Sequence, residues 1–182
     1  MDGELIRAEI KVPGQHQVTN TLAAVRVAKL LGLDMEQMTR GIASVVPIAG
    51  RNRIIQEGNF TLIDDCYNAN PVSMKAALDL LSLADTRKVA ILGDMFELGE
   101  NSDMLHSGVG CYAKGKTDLL ICIGENAKHI YDGAKEAGVA HIYHFTDKES
   151  FLREKENLLQ AGDTILLKAS HGMAFETLIS QL

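Results

Sequence analysis

The densest group of chemically active side chains in the sequence lies in the stretch LIDDCYNANP, residues 62–71. An apolar run ends there in Asp64 and Asp65, and a tyrosine and two asparagines follow. Two carboxylates, a phenol and two amides in one loop are suited to ribose hydroxyls, a metal ion or an ammonium group. The ordinary alternative is a turn between a strand and a helix, in which Asp and Asn only cap the helix and satisfy the loop backbone. That alternative explains one or two of these residues but not the whole group.

Two other loops carry polar side chains directly after a run of apolar residues: LGDMFELGENS and LLKASHGMAFE. The side chains in them that are placed to contact a ligand are Asp94, Glu97, Lys168 and Ser170. The structural alternatives are a glycine-rich turn with a capping residue and a lysine on the surface. Because the carboxyl ends of parallel strands meet at one edge of a sheet, we expect the three loops to lie side by side at a ligand site.

The elements that must position these loops alternate between strands and helices from residue 53 onward. The predicted strands are residues 53–56, 59–65, 88–92, 118–123, 141–145 and 164–168, of which the first two form a hairpin. The predicted helices are residues 73–83, 103–114, 126–137, 148–159 and 174–182. The runs VAIL, LLICI and TILL are apolar throughout, as strands buried on both faces are. This order predicts an α/β fold with a mostly parallel sheet of about six strands and helices on both faces.

The first part of the chain has a different pattern. Residues 5–12 alternate apolar and polar side chains, which predicts a strand. A helix follows, with Asn20 in its first turns, and a second helix is predicted over residues 34–44 with Asp34 as its N-cap. The sequence VVPIAGRNR then predicts a junction between domains. We therefore expect a short strand-helix-helix segment up to residue 49 and a second domain from residue 50.

Composition limits the class of protein. The chain has 182 residues, of which 46% are hydrophobic, and a formal net charge of −6, which fits a packed domain and disfavours a nucleic-acid groove. No apolar run approaches the ~20 residues of a membrane span, and the first residues lack the pattern of a signal peptide. Three cysteines without paired spacing fit a reducing cytoplasm. The sequence contains no cluster with the spacing of a zinc site.

Residues 110–117 read GCYAKGKT and match the phosphate-binding P-loop pattern letter by letter. That loop requires a strand before it and a helix after it, because loop amides and the helix N-terminus bind phosphate together. Here the predicted order is reversed, so we interpret the segment as the cationic end of a helix with a glycine stop. The three loops indicate an enzyme whose site lies at that edge of the sheet. Two alternatives stay open: an NTPase that uses Lys116, and a nucleotide- or ligand-binding module without catalysis.

Five segments, in this order and spacing, resemble the Mur ligases over nearly the whole chain: GQHQVTNTLAA, PIAGR, LIDDCYNANPVSMKAAL, LGDMFELGENSDMLH and ILLKASHGM. The resemblance implies an ATP-dependent peptide ligase of three domains. Residues 1–49 would be the tail of the central ATP-binding domain, and residues 50–182 the carboxyl-terminal Rossmann-like domain. ATP and Mg²⁺ would activate the carboxylate of UDP-N-acetylmuramoyl-tripeptide as an acyl phosphate, which the amine of D-alanyl-D-alanine attacks. The true P-loop and most magnesium ligands would lie upstream, so this chain alone is expected to be inactive.

The resemblance also implies a role for each site residue. Asn20 would lie near the adenine, and Arg51 would contact the phosphates. Asp65 would bind the ribose, and Tyr67 would flank the plane of the base. The dipeptide site would be lined by Asn68, Asn70, Asp94 and Glu97, with Lys168 and Ser170 as further candidates. The chain departs from the family pattern at Cys66, where serine is commoner, and at His171, where KASHGM replaces KGSRGM and a permanent positive charge is lost.

Overall fold

A computed structural model describes Leu5 and residues 7–182 of the protein. The helices of these residues are α1 (Gln15–Leu30), α2 (Met35–Ser44), α3 (Pro71–Leu81), α4 (Ser102–Tyr112), α5 (Ala127–Ala137), α6 (Lys148–Leu158) and α7 (Glu176–Ile179). The strands are β1 (Arg53–Glu57), β2 (Phe60–Asp64), β3 (Lys88–Gly93), β4 (Leu119–Ile123), β5 (Ile142–Phe145) and β6 (Thr164–Lys168).

The strands form one sheet in the order β1-β2-β6-β3-β4-β5. β1 pairs with β2 in an antiparallel hairpin, and every other neighbouring pair is parallel. The predicted α/β fold with a mostly parallel sheet of six strands is therefore confirmed. Because β6 lies between β2 and β3, the loops that follow these three strands leave the same edge of the sheet side by side, as the sequence predicts.

Helices cover both faces of the sheet. On one face Leu92 of β3 belongs to the same buried cluster as Leu78 of α3. On the other face Ile91 joins a second cluster with Phe151 of α6 and Leu178 of α7. Successive strand residues point to opposite faces, so a strand covered on both sides is apolar at every position. The buried strands are thus a fixed frame for the loops at their ends.

The amino-terminal segment follows the prediction only in part. α1 and α2 are present, and Asp34 caps α2, since its side chain accepts a hydrogen bond from the backbone N–H of Gln37 at 2.8 Å. Leu5 and residues 7–12 do not form the predicted strand, and Ile6 lies outside the described residues. A strand requires a neighbouring backbone for its hydrogen bonds, and none of the described strands pairs with this segment.

α1 leaves large apolar side chains exposed, including Leu22, Val27 and Leu30, and none of its residues is buried. A surface helix of a globular domain normally buries its apolar side chains against the core. Within the described part of the chain, no helix has both the length and the apolar composition that a membrane span needs. These apolar side chains of α1 are thus uncovered within the described structure.

The last helix is shorter than predicted. Residues His171–Met173 form a single 3₁₀ turn, and α7 covers only Glu176–Ile179. Ala174 lies between them with a φ of +49°, a left-handed conformation that interrupts a right-handed helix. The interruption lengthens the loop after β6 at the edge of the sheet where the site is predicted.

The segment GCYAKGKT is the end of a helix, as interpreted from the sequence. Gly110 lies in α4 and Thr117 precedes β4, so a helix comes before the segment and a strand after it. The Lys116 ammonium lies 2.6 Å from the Asp79 carboxylate and 4.7 Å from the centroid of the Tyr112 ring. The segment therefore lacks the geometry of a P-loop.

Glycines allow α4 and α5 to approach each other closely. A Cβ atom on Gly110 would lie 1.9 Å from the carbonyl oxygen of Ile130, and one on Gly133 would lie 2.2 Å from the carbonyl oxygen of Ser107. Both contacts are with backbone atoms, which cannot rotate aside as a side chain can. The two helices can pack at this distance only because these positions have no side chain.

We predict that Gly110→Ala lowers the free energy of unfolding by about 1–3 kcal/mol, because α4 and α5 must move apart. Gly108 is the matched control, since it lies in the same helix and an added Cβ there would meet nothing within 4 Å. Gly108→Ala should raise the free energy of unfolding by up to about 1 kcal/mol, through the higher helix propensity of alanine. Urea denaturation measures both changes, and equal stabilities of the two variants would contradict the close packing.

Candidate functional site

Asp65 is the buried acid of the predicted site. It directly follows β2, and only 8% of its surface is exposed. Its Oδ1 accepts a hydrogen bond from the backbone N–H of Asn52 at 3.1 Å, and its Oδ2 accepts one from the Lys168 ammonium at 2.5 Å. Burial raises the pKa of the Asp65 carboxyl above its ordinary value, and the Lys168 ammonium offsets part of that rise. Two donors thus hold the carboxylate in one orientation.

Lys168 is the last residue of β6, and its side chain is almost completely buried. Its ammonium also donates a hydrogen bond to the backbone carbonyl of Asn68 at 2.9 Å, and it lies 3.5 Å from the backbone carbonyl oxygen of Asp65. A buried ammonium needs such partners, because desolvation of an unpaired charge is very unfavourable. These contacts join the end of β6 to the loop after β2.

Asp64 and Asp65 line different cavities, because neighbouring residues of an extended chain point in opposite directions. The Oδ2 of Asp64 accepts a hydrogen bond from the backbone N–H of Gly50 at 2.8 Å and lies 3.5 Å from Nε of Arg53. Gly50 has a φ of +75°, and its carbonyl accepts a hydrogen bond from the backbone N–H of Tyr67 at 2.9 Å. Asp64 therefore fixes the junction between α2 and β1 against the loop after β2.

A cavity of about 800 Å³ opens between this junction, the loop after β2 and the start of α1. Its volume lies in the range of small-molecule sites. The predicted site residues that it brings together are Asn20, Arg51, Asp65, Tyr67, Asn68, Asn70 and Lys168. The lining therefore draws on residues from both sides of the predicted boundary at residue 50.

Tyr67 provides an aromatic wall of the cavity and is about half exposed. The guanidinium of Arg51 lies 3.9 Å from the centroid of its ring, which is a cation–π contact. The ring of His171 lies 5.6 Å away, centroid to centroid. An accessible tyrosine ring is a surface on which a planar base can stack, and Arg51 covers part of that surface in this structure.

Asn68 and Asn70 also support the local fold. The Oδ1 of Asn70 accepts a hydrogen bond from the backbone N–H of Ser73 at 2.9 Å, and the Ser73 hydroxyl accepts one from the backbone N–H of Asn70 at 3.1 Å. This reciprocal pair is a capping box for α3. The Oδ1 of Asn68 accepts a hydrogen bond from the backbone N–H of Ala69 at 2.8 Å. The capping alternative is thus correct for Asn70, although both asparagines line the cavity.

Asp94, Glu97 and Ser170 form a second group, which does not line this cavity. The Oδ1 of Asp94 accepts a hydrogen bond from the backbone N–H of Ala127 at 2.7 Å. The carbonyl of Asp94 accepts one from the backbone N–H of Ser170 at 2.9 Å, and the Ser170 hydroxyl accepts one from the backbone N–H of Phe96 at 2.8 Å. The loops after β3 and β6 are thereby fastened to each other.

Glu97 is exposed and has a φ of +61°. Such a conformation is unfavourable for a residue with a side chain, and strained backbone of this kind clusters at ligand sites. His106 supports the same loop from inside: its Nε2 accepts a hydrogen bond from the backbone N–H of Met95 at 2.9 Å, and its Nδ1 donates to the Ser102 carbonyl at 2.8 Å. His106 is fully buried and therefore positions the loop without facing a ligand.

Asn52 lines the cavity and binds the central acid, although the sequence did not single it out. It has a φ of +48°, it is buried, and its backbone N–H binds Asp65. Its Nδ2 lies 3.1 Å from Nε2 of His16 in α1, while its buried Oδ1 has no hydrogen-bond partner. Asparagine tolerates the left-handed conformation better than most residues. An asparagine two residues after Gly50, within the predicted junction, is therefore the feature of the sequence that could have identified this position.

The described residues contain no preformed cluster of metal ligands. No group of three or more His, Cys, Asp or Glu side chains among them is placed to hold a metal ion. Asp65, the acid that lines the cavity, is already paired with Lys168, and Asp64, which lines the neighbouring cavity, lies beside Arg53.

Comparison with known proteins identifies the family. The sequence model "Mur ligase, glutamate ligase domain" matches residues 50–171. The UDP-N-acetylmuramoyl-tripeptide–D-alanyl-D-alanine ligase of Bacillus subtilis (strain 168) is 32% identical over 178 residues, which cover 95% of this chain and 39% of that protein. The ligase of the same name from Synechocystis sp. is 36% identical over 192 residues, which cover 100% of this chain and 41% of that protein. The chain thus spans about two-fifths of the length of these relatives.

Solved structures have the same fold. A crystal structure of MurF from Acinetobacter baumannii superimposes with a TM-score of 0.87 at 31% sequence identity, over 96% of this chain and 39% of that chain. The MurF ligase from Thermotoga maritima in complex with ADP has a TM-score of 0.78 at 24% identity, over 93% of this chain and 38% of that chain. Since the family match covers more than half of the sequence, the chain belongs to the Mur ligase family.

Proposed function

We propose that the chain is the carboxyl-terminal part of an ATP-dependent peptide ligase that joins D-alanyl-D-alanine to UDP-N-acetylmuramoyl-tripeptide in peptidoglycan precursor synthesis. The observation that carries the proposal is the cavity in which Asp65, an acid fixed by two donors, lies near the aromatic wall of Tyr67. The names of the relatives support this reaction. The ADP in the Thermotoga maritima structure supports an adenine nucleotide as substrate. The free cysteines fit a cytoplasmic location.

The proposed domains are residues 1–49, as the tail of a central ATP-binding domain, and residues 50–182, as the ligase domain. The family match begins at residue 50, which supports this boundary. The exposed apolar side chains of α1 fit a helix that packs against further protein of the central domain. ATP in the cavity would then bridge the two domains and draw them together around the reacting groups.

In the proposed nucleotide complex, the ribose hydroxyls donate hydrogen bonds to Asp65. Each oxygen of this carboxylate has one partner at present and can accept another. The base stacks on Tyr67, with Asn20 near the edge of the adenine. Arg51 leaves the tyrosine ring and binds the phosphates, for which a guanidinium is well suited. Arg51 and the base would therefore compete for the same aromatic surface.

The second group would form the dipeptide side of the site. Asp94 and Glu97 carry the negative charge that an incoming ammonium group requires, and Asn68 and Asn70 would offer amides for the peptide. The acyl phosphate of the tripeptide must be kept from water, which would hydrolyse it. Closure of the domains would exclude water and align the amine with the carbonyl carbon. The magnesium ions of the reaction would be held by residues of the upstream domains.

The proposal predicts that this chain alone releases no phosphate when supplied with ATP, Mg²⁺, the UDP-tripeptide and D-alanyl-D-alanine. A chimera tests the ligase function directly, with the chain replacing the matching carboxyl-terminal part of the Bacillus subtilis relative. A coupled phosphate assay should then show turnover that requires D-alanyl-D-alanine. Turnover by the chain alone would contradict the proposal. So would a folded chimera whose phosphate release does not depend on D-alanyl-D-alanine.

Replacing Arg51 should change the binding affinities for adenosine and for ATP in opposite directions. Arg51→Met removes the group that covers Tyr67, so adenosine should bind severalfold more tightly. The same change removes a charged partner of the phosphates, so ATP should bind about tenfold more weakly. Amide chemical shifts of the isotope-labelled chain give both dissociation constants. A change in the same direction for both ligands would show that Arg51 and the base do not compete.

Lys116→Ala is the control for these titrations. The ammonium of Lys116 is paired with Asp79, and Lys116 does not line the cavity, so it should contact no nucleotide. Binding of adenosine and of ATP should therefore stay as in the unmodified chain. A loss of ATP binding in Lys116→Ala alone would instead favour the NTPase alternative.

A further inference from the structure

The Lys168 ammonium is fully engaged within the protein. An ammonium has three N–H donors, and its three acceptors here are Asp65 Oδ2, the Asn68 carbonyl and, at the longest distance, the Asp65 carbonyl. A direct contact with a substrate phosphate or carboxylate would require these buried bonds to break. An ion pair buried this deeply is often no more stabilising than well-packed apolar side chains. Its effect on Asp65 is therefore a better explanation for this lysine than stability is.

Asp65 is held from three directions. Its backbone N–H donates to the carbonyl of Leu167 at 3.0 Å, its Oδ1 is bound by Asn52, and its Oδ2 is bound by Lys168. A carboxylate fixed in this way loses no rotamer freedom when a ligand binds, so more of the binding energy is retained. Without the ammonium, Oδ2 would lose its fixed position and the buried charge its partner.

From this geometry we infer that Lys168 is a positioning residue of the nucleotide site, whose ammonium orients the Asp65 carboxylate to bind both ribose hydroxyls. The inference rests on the proposed nucleotide function. It moves Lys168 from the dipeptide candidates to the nucleotide side, where it acts through Asp65 and touches no substrate. Lys168 then determines preference for an intact ribose, a property that a lysine serving only the fold would not control.

The test combines changes in the protein with changes in the ligand. Adenosine, 2′-deoxyadenosine and 3′-deoxyadenosine are titrated at millimolar concentrations into the isotope-labelled chain, and amide shifts give each dissociation constant. In the unmodified chain the loss of a hydroxyl should weaken binding about tenfold, since one hydrogen bond to a charged acceptor is lost. In Lys168→Met the ratio of the dissociation constant of each deoxyadenosine to that of adenosine should fall to the value found for Asp65→Asn. The double variant should match Asp65→Asn alone, because the lysine acts only through the acid.

Lys88→Met is the matched control, since Lys88 lies at the opposite end of the sheet and pairs with Asp118. It should keep the full preference for the intact ribose. If Lys168→Met weakens all three nucleosides equally and keeps the ratio, Lys168 serves only the fold and the inference is wrong. If the double variant discriminates less than Asp65→Asn, the lysine contacts the ribose itself, which also overturns the inference.

Two further outcomes are a Lys168→Met variant that does not fold and a chain that does not bind adenosine, and each has its own meaning. Lys168→Met leaves a buried carboxylate without its partner and can fail to fold. Lys168→Gln, whose amide can still donate to Asp65 Oδ2 without a charge, is then the second variant. A lowered preference for the intact ribose in Lys168→Gln supports the positioning role, and an unchanged preference contradicts it. If the unmodified chain shows no response to adenosine, the proposed nucleotide site is wrong, whereas an unchanged ratio in Lys168→Met contradicts only the role given to the lysine.

Discussion

The buried ion pair between Lys168 and Asp65 is the contact on which the site depends. It joins the last residue of β6 to the first residue after β2, at positions 103 apart in the sequence. Removing one partner would leave an uncompensated charge inside the protein, at a cost of about 3–5 kcal/mol. The loop after β2 is therefore held against β6. The orientation of Asp65, and with it one wall of the cavity, follows from this contact.

The order of the strands gives the loop after β6 contacts with both halves of the site. β6 lies between β2 and β3, so Lys168 reaches Asp65 on one side. Ser170, two residues later, is hydrogen-bonded to Asp94 and Phe96 on the other side. A movement of this loop would displace both groups together. Such coupling suits the proposed ligase activity, in which an activated carboxylate and an amine must be aligned before water can intervene.

Local patterns were sufficient for most of the fold. Continuous apolar runs identified the buried strands, and Asp34 identified the start of α2. Alternation over residues 5–12 did not make a strand, because alternation cannot supply the neighbouring backbone that a strand requires. Ala174 stops the last helix without the glycine that would have signalled it. The partners of Asn52 and Lys168 were beyond prediction, since each depends on chain segments that only the complete fold brings together.

A crystal structure of the chain with bound adenosine would test the central claim most directly. We predict that both ribose hydroxyls donate hydrogen bonds to the Asp65 carboxylate while the Lys168 ammonium stays on Oδ2. The base should lie against Tyr67, with the Arg51 guanidinium displaced from the ring. A ribose bound away from Asp65, or a Lys168 ammonium that leaves the acid to contact the nucleoside, would contradict it.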